Sequence, residues 1–203
     1  MEETPLYEVE APAPEDATRA RILDAVFACA ERFGLGRTTI ADVAREARLS
    51  RQTLYRYFPS RHDLLAALVL REEERLVARV RTAIEPHAEL RPALEAAFTM
   101  SLKTFREHPL LDKVMATEPQ ELLPFLTVEA NPVMSMGMKL TEQVLATRAA
   151  HVPERLRHRA AEICARVFIS YAISPPDEAN EVVAASLAEL VCNGLSDHPG
   201  GQS

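Results

Sequence analysis

The sequence predicts an all-α protein of about nine helices. Three observations carry that prediction. Ala, Leu, Glu and Arg dominate the 203-residue chain, and all four are strong helix formers. Only 6 glycines are present, too few for the tight turns of hairpins or for phosphate-cradling loops. Apolar residues recur at helical spacing between 14 prolines, which stand where helices start and stop.

In chain order, residues 1–16 carry acids without a single base, with Pro5, Pro12 and Pro14 among them, and read as a disordered acidic tail. From Thr18 the spacing of Ile22, Val26, Cys29 and Phe33 marks one face of a helix that Gly34 and Gly36 stop. Thr39 is placed to cap a short helix over 40–47, and Ser50 to cap a second one reaching about Tyr57. Ser60 and Asp63 open a long helix to Ile84, with Leu64, Leu65, Leu68, Val69, Leu76 and Val80 as its apolar stripe. Glu72 to Glu74 are expected on its solvated face. Prolines then set off helices over 92–108, 109–117, 120–127, 132–150, 153–173 and 176–195. A second disordered stretch is expected over 197–203.

Charge divides the chain in a way the formal net of −7 conceals. Residues 17–63 hold nine arginines against five acids, whereas the segments on either side are acidic. A basic module within an acidic chain is the electrostatic footprint of a nucleic-acid contact. Inside it, two short helices joined by Arg48-Leu49 form a helix-turn-helix, whose second helix can enter a major groove. Leu54 and Phe58 are one turn apart and must face the core. Arg51, Gln52, Thr53, Tyr55, Arg56 and Tyr57 occupy the remaining arc. Arg and Gln bond base edges in pairs, Thr meets a thymine methyl, and Tyr reaches phosphates.

The stretches Thr38-Thr39-Ile40-Ala41-Asp42-Val43-Ala44, Leu49 to Phe58 and Ser60 to Leu65 resemble the tetracycline-repressor (TetR) family. The resemblance covers residues 18–70. It implies a dimeric transcriptional regulator, usually a repressor, which leaves a palindromic double-stranded operator when a small molecule binds. By motif position, Thr39 would hold a phosphate, and Arg51, Gln52 and Thr53 would read bases. Tyr55, Tyr57 and Arg61 would grip the backbone, with Ser50 and Arg56 as helpers. Arg48 departs from the pattern, since members often carry glycine at that turn.

Three regions follow: 17–63 as the DNA-binding domain, 64–196 for ligand binding and dimerisation, and the two tails. The last two helices are expected to pack antiparallel and to pair with a second copy as a four-helix bundle. Ala160, Ile163, Cys164, Val167, Phe168 and Tyr171 line one, and Val182, Val183, Ser186, Leu187, Leu190 and Val191 the other. Phe98, Phe105, Met115, Phe125, Met134 and Met138 are the candidate lining of a pocket for a mainly apolar ligand.

Enzymatic readings find no support: the sequence has no phosphate loop, nucleophile elbow or His-Glu-x-x-His. His158 and Glu162 are one turn apart, but a histidine among arginines reads as surface, so no metal and no cofactor are expected. Cys29, Cys164 and Cys192 are far apart and read as reduced core thiols. With no apolar run long enough to span a bilayer, the chain is expected in the cytoplasm. The alternative function is a helical dimerisation protein without a small-molecule inducer.

Overall fold

A computed structural model describes residues 14–196, which form ten α-helices and one short 3-10 turn. The expected tails at 1–16 and 197–203 lie outside the described residues, except that 14–16 already belong to the first helix. α1 spans Pro14–Phe33 and ends at Gly34, whose φ of +91° is a left-handed conformation that glycine adopts without strain. α2 (Ile40–Glu46) starts on a capping box: the Thr39 hydroxyl accepts from the Asp42 N–H at 3.2 Å, and Asp42 accepts from the Thr39 N–H at 3.3 Å.

Arg48 sits at φ +55°, so the turn keeps the left-handed geometry despite the missing glycine. Two bonds enforce it: Leu49 N–H donates to Ala44 O at 2.8 Å, and Arg48 N–H to Arg45 O at 3.1 Å. These are the two bonds of a Schellman motif, and Leu49 packs into the core beside them. Half-buried Leu49 thus helps to hold an arginine in a conformation that costs about 1–2 kcal/mol. α3 (Arg51–Tyr57) follows at once, with Ser50 Oγ accepting from Thr53 N–H at 3.0 Å. α4 (Arg61–Ile84) is capped the same way by Ser60.

The second half holds α5 (Leu90–Glu107), α6 (Pro109–Thr117), a 3-10 turn at Pro119–Glu121 and α7 (Leu123–Leu126). α8 (Asn131–Arg148), α9 (Glu154–Ile173) and α10 (Asn180–Ser196) complete it. The ten helices keep the expected order, but α1 opens at Pro14 rather than Thr18, the helix expected over 120–127 divides into the 3-10 turn and α7, and the start of the last helix is displaced. α10 opens at Asn180, not Pro176, and Arg106 of α5 donates to the carbonyls of Pro176 and Glu178 in the non-helical segment before it. The packing of the last two helices also departs from expectation. α9 rests mainly on α8, and α10 on α5, and the two meet each other only marginally.

Two main cores result. One joins α1, α2 and α3 to the start of α4 through Ile22, Val26, Cys29, Val43, Leu54 and Leu64, all but sealed from solvent. Leu110, Val114 and Phe125 from beyond α5 enter this same core. The other joins the rest of α4 to α5, α8, α9 and α10 around Phe98, Leu102, Cys164 and Ala188. Burial pushes the Cys164 thiol up to about 12, so it stays a neutral packing group. A long shared helix, α4, is therefore anchored at one end among the recognition elements and at the other among the larger bundle.

Candidate DNA interface and ligand cavity

α3 presents its polar arc outward because Leu54 and Phe58 are pinned in the core. Arg51, Gln52, Tyr55 and Arg56 are exposed and make no hydrogen bond or ion pair among the described residues. Arg56 lies over the ring of Tyr57, 5.5 Å from its centroid, and Tyr57 is half-buried against the core. Thr53 is half-buried, its hydroxyl 2.8 Å from Ser50 Oγ in the cap. Thr39 is exposed, with its hydroxyl 2.5 Å from Asp42. That hydroxyl's hydrogen bond, above all, holds the Asp42 carboxyl below its ordinary range.

Arg61, expected on the DNA backbone, is engaged with the protein in this structure. Its guanidinium donates to Leu35 O at 2.7 Å and Thr38 O at 3.3 Å, and meets Glu121 at 2.9 Å. It brackets the loop between α1 and α2 against the 3-10 turn. Two further carboxylates work alongside. Glu118 accepts from Gly36 N–H at 2.8 Å, and Glu129 meets His62 at 2.9 Å. A Cβ on Gly34 would stand 2.7 Å from a Glu118 oxygen, a crowding the flexible Glu118 side chain can relieve, so it is the φ of +91° that favours glycine there. The sequence signal for this latch is faint: three acids scattered over twelve positions.

Beside α4 runs a cavity of about 170 Å³ whose wall is overwhelmingly apolar. Of the residues nominated from sequence, Phe98, Phe105 and Phe125 line it, and Met115, Met134 and Met138 do not. In each methionine's case the residue just before it does: Val114, Val133 and Gly137. One residue turns a helix by about 100°, so the right region with the wrong phase selects the wrong side chain. The expectation that Glu72 and Glu73 face solvent is also overturned, since both stand on the cavity wall. They fall in the gap of the stripe Leu65, Val69, Leu76, Val80, where an apolar residue was due. That gap was the readable signal.

Glu72 is well compensated. His108 approaches at 3.5 Å, Arg75 at 2.9 Å and Arg71 at 3.3 Å. Burial pushes its carboxyl up, but the His108 hydrogen bond and the two arginines together draw it below the ordinary value. Glu73 has no such partner, and burial pushes it up to about 7. His158 meets Glu142 at 2.6 Å while Glu162 meets Arg166, and no metal-binding cluster occurs among the described residues. No described helix is long and apolar enough to cross a membrane.

A capped helix-turn-helix with a free polar arc, joined by one helix to a bundle containing an apolar cavity, is the architecture of a DNA-binding regulator. Residues 22–68 match the model described as bacterial regulatory proteins, tetR family, and residues 89–193 match that of the bacterial tetracyclin repressor C-terminal domain. The chain belongs to the TetR family and is a helix-turn-helix transcriptional regulator, not an enzyme. It is 26% identical over 185 residues to the HTH-type transcriptional regulator AlkX of Mycobacterium tuberculosis, covering 87% of this chain and 86% of that one. The crystal structure of the TetR family repressor AlkX from Dietzia sp., implicated in biodegradation of n-alkanes, superposes with a TM-score of 0.74 at 28% identity. That match covers 87% of this chain and 96% of the other. FadR of Thermus thermophilus, a repressor solved with lauroyl-CoA, shares the fold at a TM-score of 0.62 and 23% identity, over 90% of this chain and 100% of that one.

Proposed function

We propose that this protein is a cytoplasmic repressor that binds a palindromic operator as a homodimer and leaves it when a small, mainly apolar ligand fills the cavity. The observation that carries the proposal is α4, which follows the recognition helix directly and forms a wall of the cavity. At 1.5 Å per residue it is about 36 Å long, so a displacement beside Leu76 or Val80 is carried to the DNA-binding end. The acidic latch adds a second route, because Glu121 both lines the cavity and holds Arg61.

Residues 17–63 bind DNA in this scheme and 64–196 bind ligand and partner. Arg51, Gln52 and Thr53 read bases. Tyr55 and Tyr57 contact phosphates, helped by Thr39, Ser50 and Arg56, while Arg61 acts as the structural bracket described above. Phe98, Phe105 and Phe125 contact the ligand. The dimer forms through the outward faces of α9 and α10, where Ile163, Val182 and Leu190 are 60%, 54% and 69% exposed. Three large apolar side chains left in water on neighbouring helices support a buried interface there. Cys164 and Val183, expected at that interface, are already buried within the subunit.

A dimer of this kind reads half-sites about 34 Å apart, one turn of DNA, so a small change in the separation of the recognition helices abolishes simultaneous contact. Ligand and operator then weaken each other by the same factor. The names of the relatives, one concerned with n-alkane use and one solved with an acyl-CoA, support a long apolar ligand. The test is a mobility shift on DNA upstream of the protein's own gene. Sequence-specific retention of a dimer supports the proposal, and no preference over random DNA refutes it.

A further inference from the structure

Resting on the reading that the cavity holds a small ligand, we propose that this ligand is a long apolar molecule with one hydrogen-bond-donating, non-anionic head, a hydroxyl or a protonated amine, seated on Glu73 and Thr104. The inference comes from accounting for the side-chain nitrogen and oxygen atoms on the cavity wall. Ser101 donates to Ala97 O at 2.8 Å and Thr141 to Gly137 O at 3.0 Å, each satisfied within its own helix. His108 accepts from Leu111 N–H at 3.1 Å and meets Glu72, and Glu121 is held by Arg61. Two groups remain. Glu73 has no hydrogen bond or ion pair among the described residues, and Thr104, 6% exposed, has an Oγ1 with no partner.

A half-buried carboxylate without a partner and a buried hydroxyl left unsatisfied are both costly, and both residues line the one cavity. Helix geometry sets them at similar levels of the cavity. The 3.5 Å approach of His108 to Glu72 sets residues 72–73 of α4 level with the end of α5. Thr104 lies one turn before His108, about 6 Å along the axis. From α4 the Glu73 carboxylate reaches across to α8, where an oxygen stands 3.9 Å from the place a side chain on Gly137 would start. The glycine leaves room beside it.

An ionised carboxylate only accepts hydrogen bonds, so its partner must donate. An anionic head has no proton to offer and carries the same sign as Glu73. A hydroxyl or ammonium donates to Glu73, and the Thr104 hydroxyl can take up a second bond. The apolar body has ample length to lie along: the α4 wall runs from Leu65 to Val80, about 22 Å at 1.5 Å per residue.

Four probes with the same ten-carbon chain separate the cases: decan-1-ol, decylamine, 1-methoxydecane and decanoate. They are added to the full chain below their solubility or micelle limits at pH 8, where Glu73, pushed up to about 7, is mostly ionised and accepts. Binding is read by calorimetry, by the thermal midpoint and by release of operator DNA. The alcohol and the amine are expected to bind about tenfold tighter than the ether and decanoate. Glu73→Leu should erase that ranking, and Thr104→Val should lower both donor heads several-fold. Glu73→Gln should cost the amine more than the alcohol, which identifies the head when both bind. Decanoate or the ether binding as tightly as the donors, or an unchanged ranking in Glu73→Leu, overturns the head-group assignment while leaving the cavity as a ligand site. If none of the four raises the midpoint or releases DNA, the ligand reading of the cavity falls as well.

Discussion

Arg61 separates two pictures of how the DNA-binding end is held, and Arg61→Met distinguishes them quantitatively. In the structure the guanidinium satisfies two backbone carbonyls, Leu35 O and Thr38 O, and pairs with Glu121 at side-chain exposures of 37% and 23%. Methionine keeps the stem and removes every donor. Losing charged donors to part-buried carbonyls costs roughly 1–3 kcal/mol. The ion pair, partly in water, adds no more than about 1 kcal/mol. With a total near 2 kcal/mol, the thermal midpoint of a chain this size should fall by about 4–8 °C. Operator binding should keep its salt dependence, because no phosphate contact is lost. Had Arg61 gripped the backbone, the slope of log K against log salt would shrink by about 0.9. Anisotropy titrations of a labelled operator at several salt concentrations, beside calorimetric melting, measure both quantities. Arg56→Ala supplies the control in which the slope should fall. A double-mutant cycle with Glu121→Gln should show a coupling of about 0.5 kcal/mol. A reduced slope with an unchanged midpoint for Arg61→Met would refute the bracket and return the residue to the DNA.

Further outcomes follow from the same geometry. Arg51→Ala should lose about 1–3 kcal/mol of operator affinity and relax base choice, whereas Tyr55→Phe should weaken all sequences alike, as binding to a panel of altered operators would reveal. Arg48→Gly relieves the left-handed arginine but adds unfolded-state entropy, for a net gain of about 0.5–1 kcal/mol; Arg48→Ala should show no such gain in chemical denaturation. Leu190→Glu and Ile163→Glu should yield folded monomers, since both sites are exposed in the subunit, and sedimentation of intact dimers for both would move the interface elsewhere. Glu73, pushed up to about 7 from an ordinary 4.5, binds its proton more tightly when folded, so its contribution to stability is greatest below pH 4.5 and is lost as pH rises to 7. Glu73→Gln should therefore gain about 2–3 kcal/mol over the parent at pH 8 relative to pH 4.5, and equal differences at both would contradict the buried, unpaired carboxyl.

The sequence by itself determined the local order of this protein. Capping residues, helical spacing and prolines placed the helices, because those signals act within one or two turns of chain. Thr39, Ser50 and Ser60 cap where they were expected to, and Leu54 with Phe58 orients the recognition helix so that Arg51, Gln52 and Tyr55 face outward. The resemblance to the TetR family that the sequence shows rests on that same compact, contiguous stretch, where spacing along the chain and spacing in space coincide, and the family match extends over residues 89–193 as well.

Tertiary structure decided what depends on contacts between distant segments. Glu118 and Gly36 are 82 residues apart, and nothing local in either announces their bond. Arg61 reads from sequence as a phosphate contact, and only the fold shows that Glu121 and the carbonyls of Leu35 and Thr38 engage it. The methionines of α6 and α8 lie in the right region, yet helix rotation sends their neighbours Val114, Val133 and Gly137 to the cavity. Glu72 and Glu73 read as a solvated face because adjacent acids are cheap in water. Only the approach of α5 and α8 encloses them, supplying Glu72 with His108 and leaving Glu73 alone. The pairing of α9 with α8 and of α10 with α5 was open for a similar reason: an amphipathic helix specifies that it must bury a face, and the surrounding bundle specifies against what.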